Sequence, residues 1–268
     1  MAALTDRELG RIAWRASLLQ ATWNYERQQG LGWAFALKPA LERLVPDGDL
    51  PLRLAEHTAY FNTQPTLASV ALGAVARMEE ARAQAAETAA DASERAGDWE
   101  GPKGAGEWDG DAIARVKSVL GSSLAALGDR VFWFTLRPFS ACLGMALAVL
   151  GFPWAAVAQW LVYNALHQGV RFWGVRLGYR DGPAAAGGVL RRRLEFLATA
   201  LARGGALLVG FLVAAIMVPD GYPRPVGQQL LLVGGLALGL VAAQRPRPSP
   251  TEWALGAGAI MLTMAWLR

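Results

Sequence analysis

The sequence predicts an all-α membrane protein, with interfacial and broken helices in its N-terminal two-thirds and apolar transmembrane helices in its C-terminal third. Three observations carry that expectation. The 268 residues are 53% hydrophobic and only 18% charged, where soluble chains carry roughly 25% charged residues. Residues 138–166 run without one formal charge, enough in length to reach across hydrocarbon about 30 Å thick. The last third holds three apolar runs, 204–218, 226–243 and 253–267, separated by breaks rich in proline and arginine.

Four regions follow: an N-terminal helical lobe (1–83), a flexible linker rich in Ala, Gly, Glu and Asp (84–110), a second helical lobe with a broken membrane helix (111–182), and the C-terminal spans (183–268). Residues 1–10 read as a polar, poorly ordered start. From Arg11 to about Leu37 the pattern is helical, but Arg11, Arg15, Glu26 and Arg27 do not suit a lipid-facing span; a helix at the interface or packed within a membrane assembly accommodates them. Pro39 is expected to begin a new turn or helix. A short helix over 52–61 carries His57, and Asn62-Thr63-Gln64 then precede Pro65 at the start of a helix reaching about Glu87. Proline suits a first helical turn, and polar residues before it serve as caps.

A further helix is expected from Asp111 to Leu127, with Gly128 as its stop. The adjacent pair Asp129-Arg130, set in apolar sequence, reads as a paired buried charge or a functional group. Gly151-Phe-Pro153 breaks the uncharged stretch, leaving one kinked span or a hairpin of two half-spans. Asn164, His167 and Arg171 fall on one face of the helix that follows. Arginines 191–193, 203, 245 and 247 mark the cytoplasmic side. Three spans from there place the C-terminus outside, and the absence of a signal-peptide pattern places the N-terminus in the cytoplasm.

Gln20-Ala-Thr-Trp-Asn-Tyr-Glu-Arg-Gln-Gln-Gly-Leu-Gly-Trp33 is the most informative stretch. At helical spacing Gln20, Asn24, Arg27 and Gln28 share a face, with large aromatics around them. Amides and a guanidinium among aromatic faces suit a sugar; a surface helix with a solvated polar stripe fits the same spacing. Asn62, Thr63 and Gln64 place amides and a hydroxyl at the positive end of a helix dipole, and equally suit a plain cap. His57 and His167 read as hydrogen-bonded structural residues. The one cysteine, Cys142, permits neither an intrachain disulfide nor a thiolate metal cluster. Neither a nucleophile–base pair, a metal-ligand set nor a phosphate loop is present in the sequence, so no cofactor, metal or catalytic residue is expected. A continuous basic face for nucleic acid is also missing.

Four stretches carry a family resemblance. They are the stretch ending at Trp33, with Phe61-Asn-Thr-Gln-Pro65; Gly128-Asp-Arg-Val-Phe-Trp-Phe-Thr-Leu-Arg-Pro138; and Tyr163-Asn-Ala-Leu-His-Gln-Gly-Val-Arg-Phe-Trp-Gly-Val-Arg-Leu-Gly-Tyr179. From about Ala16 to Gly182 the chain resembles the IID component of mannose/fructose/sorbose-family phosphotransferase systems. The resemblance implies a multi-pass subunit of the inner (cytoplasmic) membrane, paired with a IIC membrane subunit and served by cytoplasmic IIA and IIB phosphocarriers. It implies a hexose as substrate and no phosphorylated residue in this chain. By the same resemblance Asn24, Arg27, Gln28, Asn62, Thr63 and Gln64 bind the substrate, and Asp129, Arg137 and Asn164 are structural or gating residues. Gly121–Arg130 departs from the family pattern, with serines and alanines in place of a glycine- and proline-rich turn. A non-transporting membrane scaffold or regulatory relic is the alternative that this departure motivates.

Overall fold

The computed structural model describes residues 3–96, 108–217 and 226. The described residues contain eight α-helices: α1 (Asp6–Arg15), α2 (Gly30–Leu44), α3 (Leu50–His57), α4 (Ala68–Ala96), α5 (Gly110–Gly128), α6 (Arg137–Val149), α7 (Ala155–Asp181) and α8 (Gly188–Met217). Met1–Val209 is one compact unit; the unit Gly210–Arg268 contains the end of α8 and otherwise lies outside the described residues. Two helices are long and apolar enough to cross a membrane, Gly110–Val149 and Gly188–Val213, in keeping with an all-α membrane protein.

Residues 3–10 are ordered, contrary to expectation. Thr5 caps α1: its backbone N–H donates to Glu8 Oε2 at 2.9 Å, completing the reciprocal box that fixes a helix start. Leu9, Ile12 and Ala13 bury one face of α1, and Leu4 N–H donates to the buried carboxylate of Glu80 at 2.9 Å.

The helix expected over Arg11–Leu37 breaks after Arg15. Residues 16–18 form one tight turn, the chain loops through residue 29, and α2 begins at Gly30. Two glycines explain the reversal. A Cβ on Gly32 would lie 2.0 Å from the carbonyl oxygen of Leu19, and one on Gly30 would lie 2.5 Å from that of Thr58. Both positions must stay bare for the loop and the 58–59 segment to reach α2.

Pro39 lies inside α2 and starts nothing. It lacks the N–H that would satisfy Phe35 O, and Arg15 substitutes for it, with Nη1 3.4 Å from that oxygen and the guanidinium 4.8 Å from the Phe35 ring centre.

Helix α4 starts at Ala68 and continues to Ala96, so of the expected linker only 97–107 falls outside the described residues. Helix α7 packs along α4, and one core cluster holds residues from before and after that stretch, such as Leu37, Leu72, Leu124 and Val175. The core is therefore continuous across the expected boundary between lobes. A seam of small residues permits the approach of α4 and α7: Cβ atoms on Gly73 and Gly178 would lie 2.0 Å from the carbonyl oxygens of Val175 and Val70.

Gly128 is not a stop. The helix continues through eight residues of wider π-helical turn, Asp129–Leu136, directly into α6. Gly128 is small because Gln64 packs on it: a Cβ there would meet Gln64 Cβ at 2.5 Å. The uncharged stretch resolves as a hairpin, with α6 and α7 joined at Leu150–Trp154 and Gly151 in the left-handed region at φ 76°. The first C-terminal apolar run is longer than its 15 residues suggested, because the arginine-bearing residues before it belong to the same helix, α8. The expected spans 226–243 and 253–267 lie outside the described residues, Val226 excepted.

Candidate functional site

The two polar stretches singled out in the sequence are joined by backbone pairing. Asn24 and Gln28 face each other across a tight loop, with Gln28 N–H to Asn24 O at 2.9 Å. Asn24 Oδ1 accepts from the N–H groups of Arg27 and Glu26 at 2.8 and 3.1 Å, the short-range capture that lets asparagine set a turn. Gln28 takes the left-handed conformation at φ 53°, which costs a side-chain-bearing residue about 1–2 kcal/mol and must be offset by the contacts around it. Those contacts come from the 57–64 segment. Gln29 N–H donates to Phe61 O at 2.9 Å, Phe61 N–H to Arg27 O at 3.4 Å, and Arg27 Nη1 to Thr58 Oγ1 at 2.9 Å. The spacing expected to present a helical face instead closes a loop, because Asn24 and Gln28 bond to each other's backbone.

Gln29, which the sequence reading passed over, is the pin of this junction. It is 1% exposed. Its Nε2 donates to Thr63 O at 2.7 Å, and its Oε1 accepts from Thr63 N–H at 3.1 Å, so one side-chain amide mimics a strand partner. Its position beside Gln28 was the available signal; helical spacing placed it off the polar face and hid it.

Thr63 and Gln64 face inward. Thr63 Oγ1 donates to Gly121 O at 2.8 Å. Gln64 Oε1 accepts from the N–H groups of Thr66 and Leu67 at 2.8 and 3.0 Å, the cap that the sequence suggested as one reading. Asn62 is exposed, with no side-chain partner among the described residues. Arg27 and Gln28 keep partial exposure beside it. The outward-facing polar groups of the junction are therefore those of Arg27, Gln28 and Asn62, while Asn24, Gln29, Thr63 and Gln64 shape the backbone that presents them.

Helix α5 supports the segment from behind. Lys117, 4% exposed, donates from Nζ to the carbonyl oxygens of His57 and Ala59 at 3.1 and 3.3 Å. The ammonium lies 5.0 Å from the Trp33 ring centre and 5.5 Å from that of Phe61, so aromatic faces and carbonyls take the place of a carboxylate. Replacing Lys117 by Met should leave the buried His57 carbonyl short of a donor, worth about 1–3 kcal/mol, and the part-buried Ala59 carbonyl less so. The expected result is a melting temperature lowered by several degrees in the purified protein, and less so in Lys117→Arg. An unchanged melting temperature would show that the lysine does not brace the segment.

The histidines are both engaged with protein groups. His57 Nε2 lies 3.1 Å from Glu79 Oε1 and is buried; His167 stacks on Tyr163 and meets Phe132 edge-on. Asp129 and Arg130, expected as a pair, have no ion-pair partner among the described residues and are partly or fully exposed. Arg137 and Asn164 are brought together elsewhere, in a cleft between α6 and α7. Among the described residues no cluster of three metal-ligating side chains occurs.

Comparison with known proteins adds to this geometry. The family described as "PTS system mannose/fructose/sorbose family IID component" matches residues 3–96 and 99–219. The mannose-specific EIID component of Escherichia coli (strain K12) is 31% identical over 221 residues, spanning 80% of this chain and 68% of that protein. The sorbose-specific EIID component of Klebsiella pneumoniae is 31% identical over 219 residues, 80% and 70% of the two chains. A chain of the cryo-EM structure of the mannose transporter ManYZ in complex with microcin E492 superposes with a TM-score of 0.57 at 25% identity, covering 98% of this chain and 97% of that one.

Proposed function

The chain belongs to the mannose/fructose/sorbose family of phosphotransferase-system IID components, and on that premise we propose that it works with a IIC membrane subunit to bind and translocate a mannose-type hexose while a IIB carrier phosphorylates it. It is a membrane subunit of a sugar permease; the sugar, the IIC partner and the coupling to IIA and IIB are the proposal, as are a place in the inner membrane, a cytoplasmic N-terminus and an external C-terminus.

One observation carries the reading. The loop 24–29 and the segment 57–64, far apart in sequence, are fastened backbone to backbone, so that Arg27, Gln28 and Asn62, none of them buried, come from adjoining stretches of chain. Hydroxyls of a sugar need such groups, and a preformed backbone holds them without an ordering cost at binding. Asn24, Thr63 and Gln64 act in this proposal by setting the loop shape, and Asp129 by shaping the helix that follows Gly128; Arg137 and Asn164 lie apart, in the cleft between α6 and α7. No proton or phosphoryl group passes through a residue of this chain. Its part is to orient the sugar, and the chemistry belongs to IIB.

Asn62→Ala tests it. Because the Asn62 side chain carries no fold contact, the variant should assemble in normal amount with its co-expressed IIC partner. Hexose binding by the purified complex should fall at least about tenfold, the loss of one or two hydrogen bonds to a ligand. Normal binding in a normally assembled complex would remove the junction from the sugar site.

A further inference from the structure

The cleft between α6 and α7 takes no part in that proposed sugar contact. It has a volume of about 630 Å³, and its walls include Trp133, Arg137, Gln159, Trp160, Tyr163 and Asn164. We propose that it is a binding site for the headgroup of an anionic phospholipid. Four observations on these residues converge on that chemistry.

Arg137 is a cation without an anion. Its guanidinium lies 5.3 Å from the Trp133 ring centre, and no carboxylate pairs with it among the described residues. A guanidinium offers several N–H donors in a planar fork that matches phosphate oxygens.

The depth is that of a headgroup. Residues 138–166 contain no formal charge, and the hairpin tip exposes Leu150, Phe152 and Trp154. From Arg137 to Val149 the helix rises about 20 Å at 1.5 Å per residue. With the tip in hydrocarbon, Arg137 falls at the boundary where the apolar hairpin ends.

The walls suit that boundary. Trp133 and Trp160 are exposed, and Tyr163 lines the cleft with them; amphipathic aromatics settle at headgroup level. Polar capacity is also spare, because the Gln159 amide and the Tyr163 hydroxyl have no hydrogen-bond partner among the described residues. Asn164 uses only its Nδ2, donating to Trp160 O at 2.9 Å, and keeps its oxygen for a glycerol hydroxyl. Phosphate meets Arg137, the glycerol faces the amides, and the acyl chains leave along the apolar arms of the hairpin.

The test uses the full-length protein in detergent, delipidated and titrated with short-chain phosphatidylglycerol or phosphatidylcholine, bound lipid being counted by native mass spectrometry. Phosphatidylglycerol should bind about tenfold tighter than phosphatidylcholine. Arg137→Gln should erase that preference, Trp160→Ala should weaken both lipids, and Arg130→Gln, at an exposed position of the π-helical segment, should leave the preference intact. Equal binding of the two lipids, or a preference that survives Arg137→Gln, overturns the proposal. Complete displacement by millimolar inorganic phosphate also overturns it, since the site would then read a free anion without using a bilayer lipid.

Discussion

Gly178→Ala is expected to undock α7 from α4 and to leave little folded protein. The added Cβ would lie 2.0 Å from Val70 O, 2.8 Å from Ala74 N and 2.9 Å from Val70 C. All three are backbone atoms of a helix, so no rotamer change relieves the clash. On the facing helix a Cβ on Gly73 would lie 2.0 Å from Val175 O and 2.7 Å from Tyr179 N, and on α7 one on Gly174 would lie 2.3 Å from Ser69 Oγ. Each helix thus carries two small residues four apart, and close backbone approach is what such spacing permits in membrane proteins. Overpacking a core usually costs about 1–3 kcal/mol; separating two helix backbones along the most extensive contact among the described helices should cost at least the upper figure, a large part of a typical stability of 5–15 kcal/mol. Gly169→Ala is the internal control, since it lies on the same helix with nothing within 4 Å of the added atom. Size-exclusion profiles and thermal unfolding of the two variants should separate sharply. Similar melting temperatures would mean that the seam does not hold α7.

The second large effect concerns Glu79. This side chain is 1% exposed and accepts from Arg53 Nη1 at 2.6 Å. It also faces His57 Nε2 at 3.1 Å and Arg82 Nη1 at 3.5 Å. Burial by itself would raise its carboxyl pKa; the hydrogen bond and charge of His57, then those of Arg53, outweigh it and hold the group below its ordinary 4.5. A depressed pKa stabilises the folded state wherever the unfolded group would be ionised, so the contribution is complete above about pH 4.5 and disappears as pH falls through the lower folded value. Glu79→Gln removes the buried anion of the cluster and leaves Arg53 and Arg82 only the more exposed Glu56, at 3.8 and 2.9 Å; breaking a buried pair in this way costs about 3–5 kcal/mol. The variant should melt well below the parent at pH 7 and should lose part of the parent's decline in acid. Glu42→Gln, which breaks only the surface pair with Lys38 at 3.2 Å, should change stability by less than about 1 kcal/mol. Equal losses from both substitutions would refute the buried cluster as a stabilising element.

The sequence made the membrane class legible through the uncharged run 138–166 and the apolar C-terminal third, because the bilayer acts on composition directly. It also identified both halves of the junction, through the density of amides around Asn24 and Asn62. It did not show that these halves meet. A spacing of four residues between Asn24 and Gln28 fits a helix and a closed loop equally, and only the contact of bare Gly30 and Gly32 with distant backbone selects the loop. Nor could it show that Thr63 and Gln64 turn inward, since that orientation depends on Gly121 and Gly128, glycines of another helix. Gly174 and Gly178, with Ser69 and Gly73, were readable as small-residue pairs, but their significance lies in which helix each pair faces.

The π-helical segment Asp129–Leu136 has a consequence of a different kind. Leu124, Gly128, Phe132, Leu136, Ser140 and Gly144 are all buried, one every four residues. In a straight α-helix a four-residue step overshoots one turn by about 40°, so five steps would carry this row roughly halfway around the rod. The wider turns between Asp129 and Leu136 wind the row back and keep it on one side. Chain length in this segment is therefore exchanged for rotation. One codon lost there would turn everything downstream by about 100°, swinging the whole hairpin around the axis of α5 with barely a change in its depth. The azimuth of the α6–α7 hairpin is set by counting residues, and a single insertion or deletion is the smallest genetic step that can reset it.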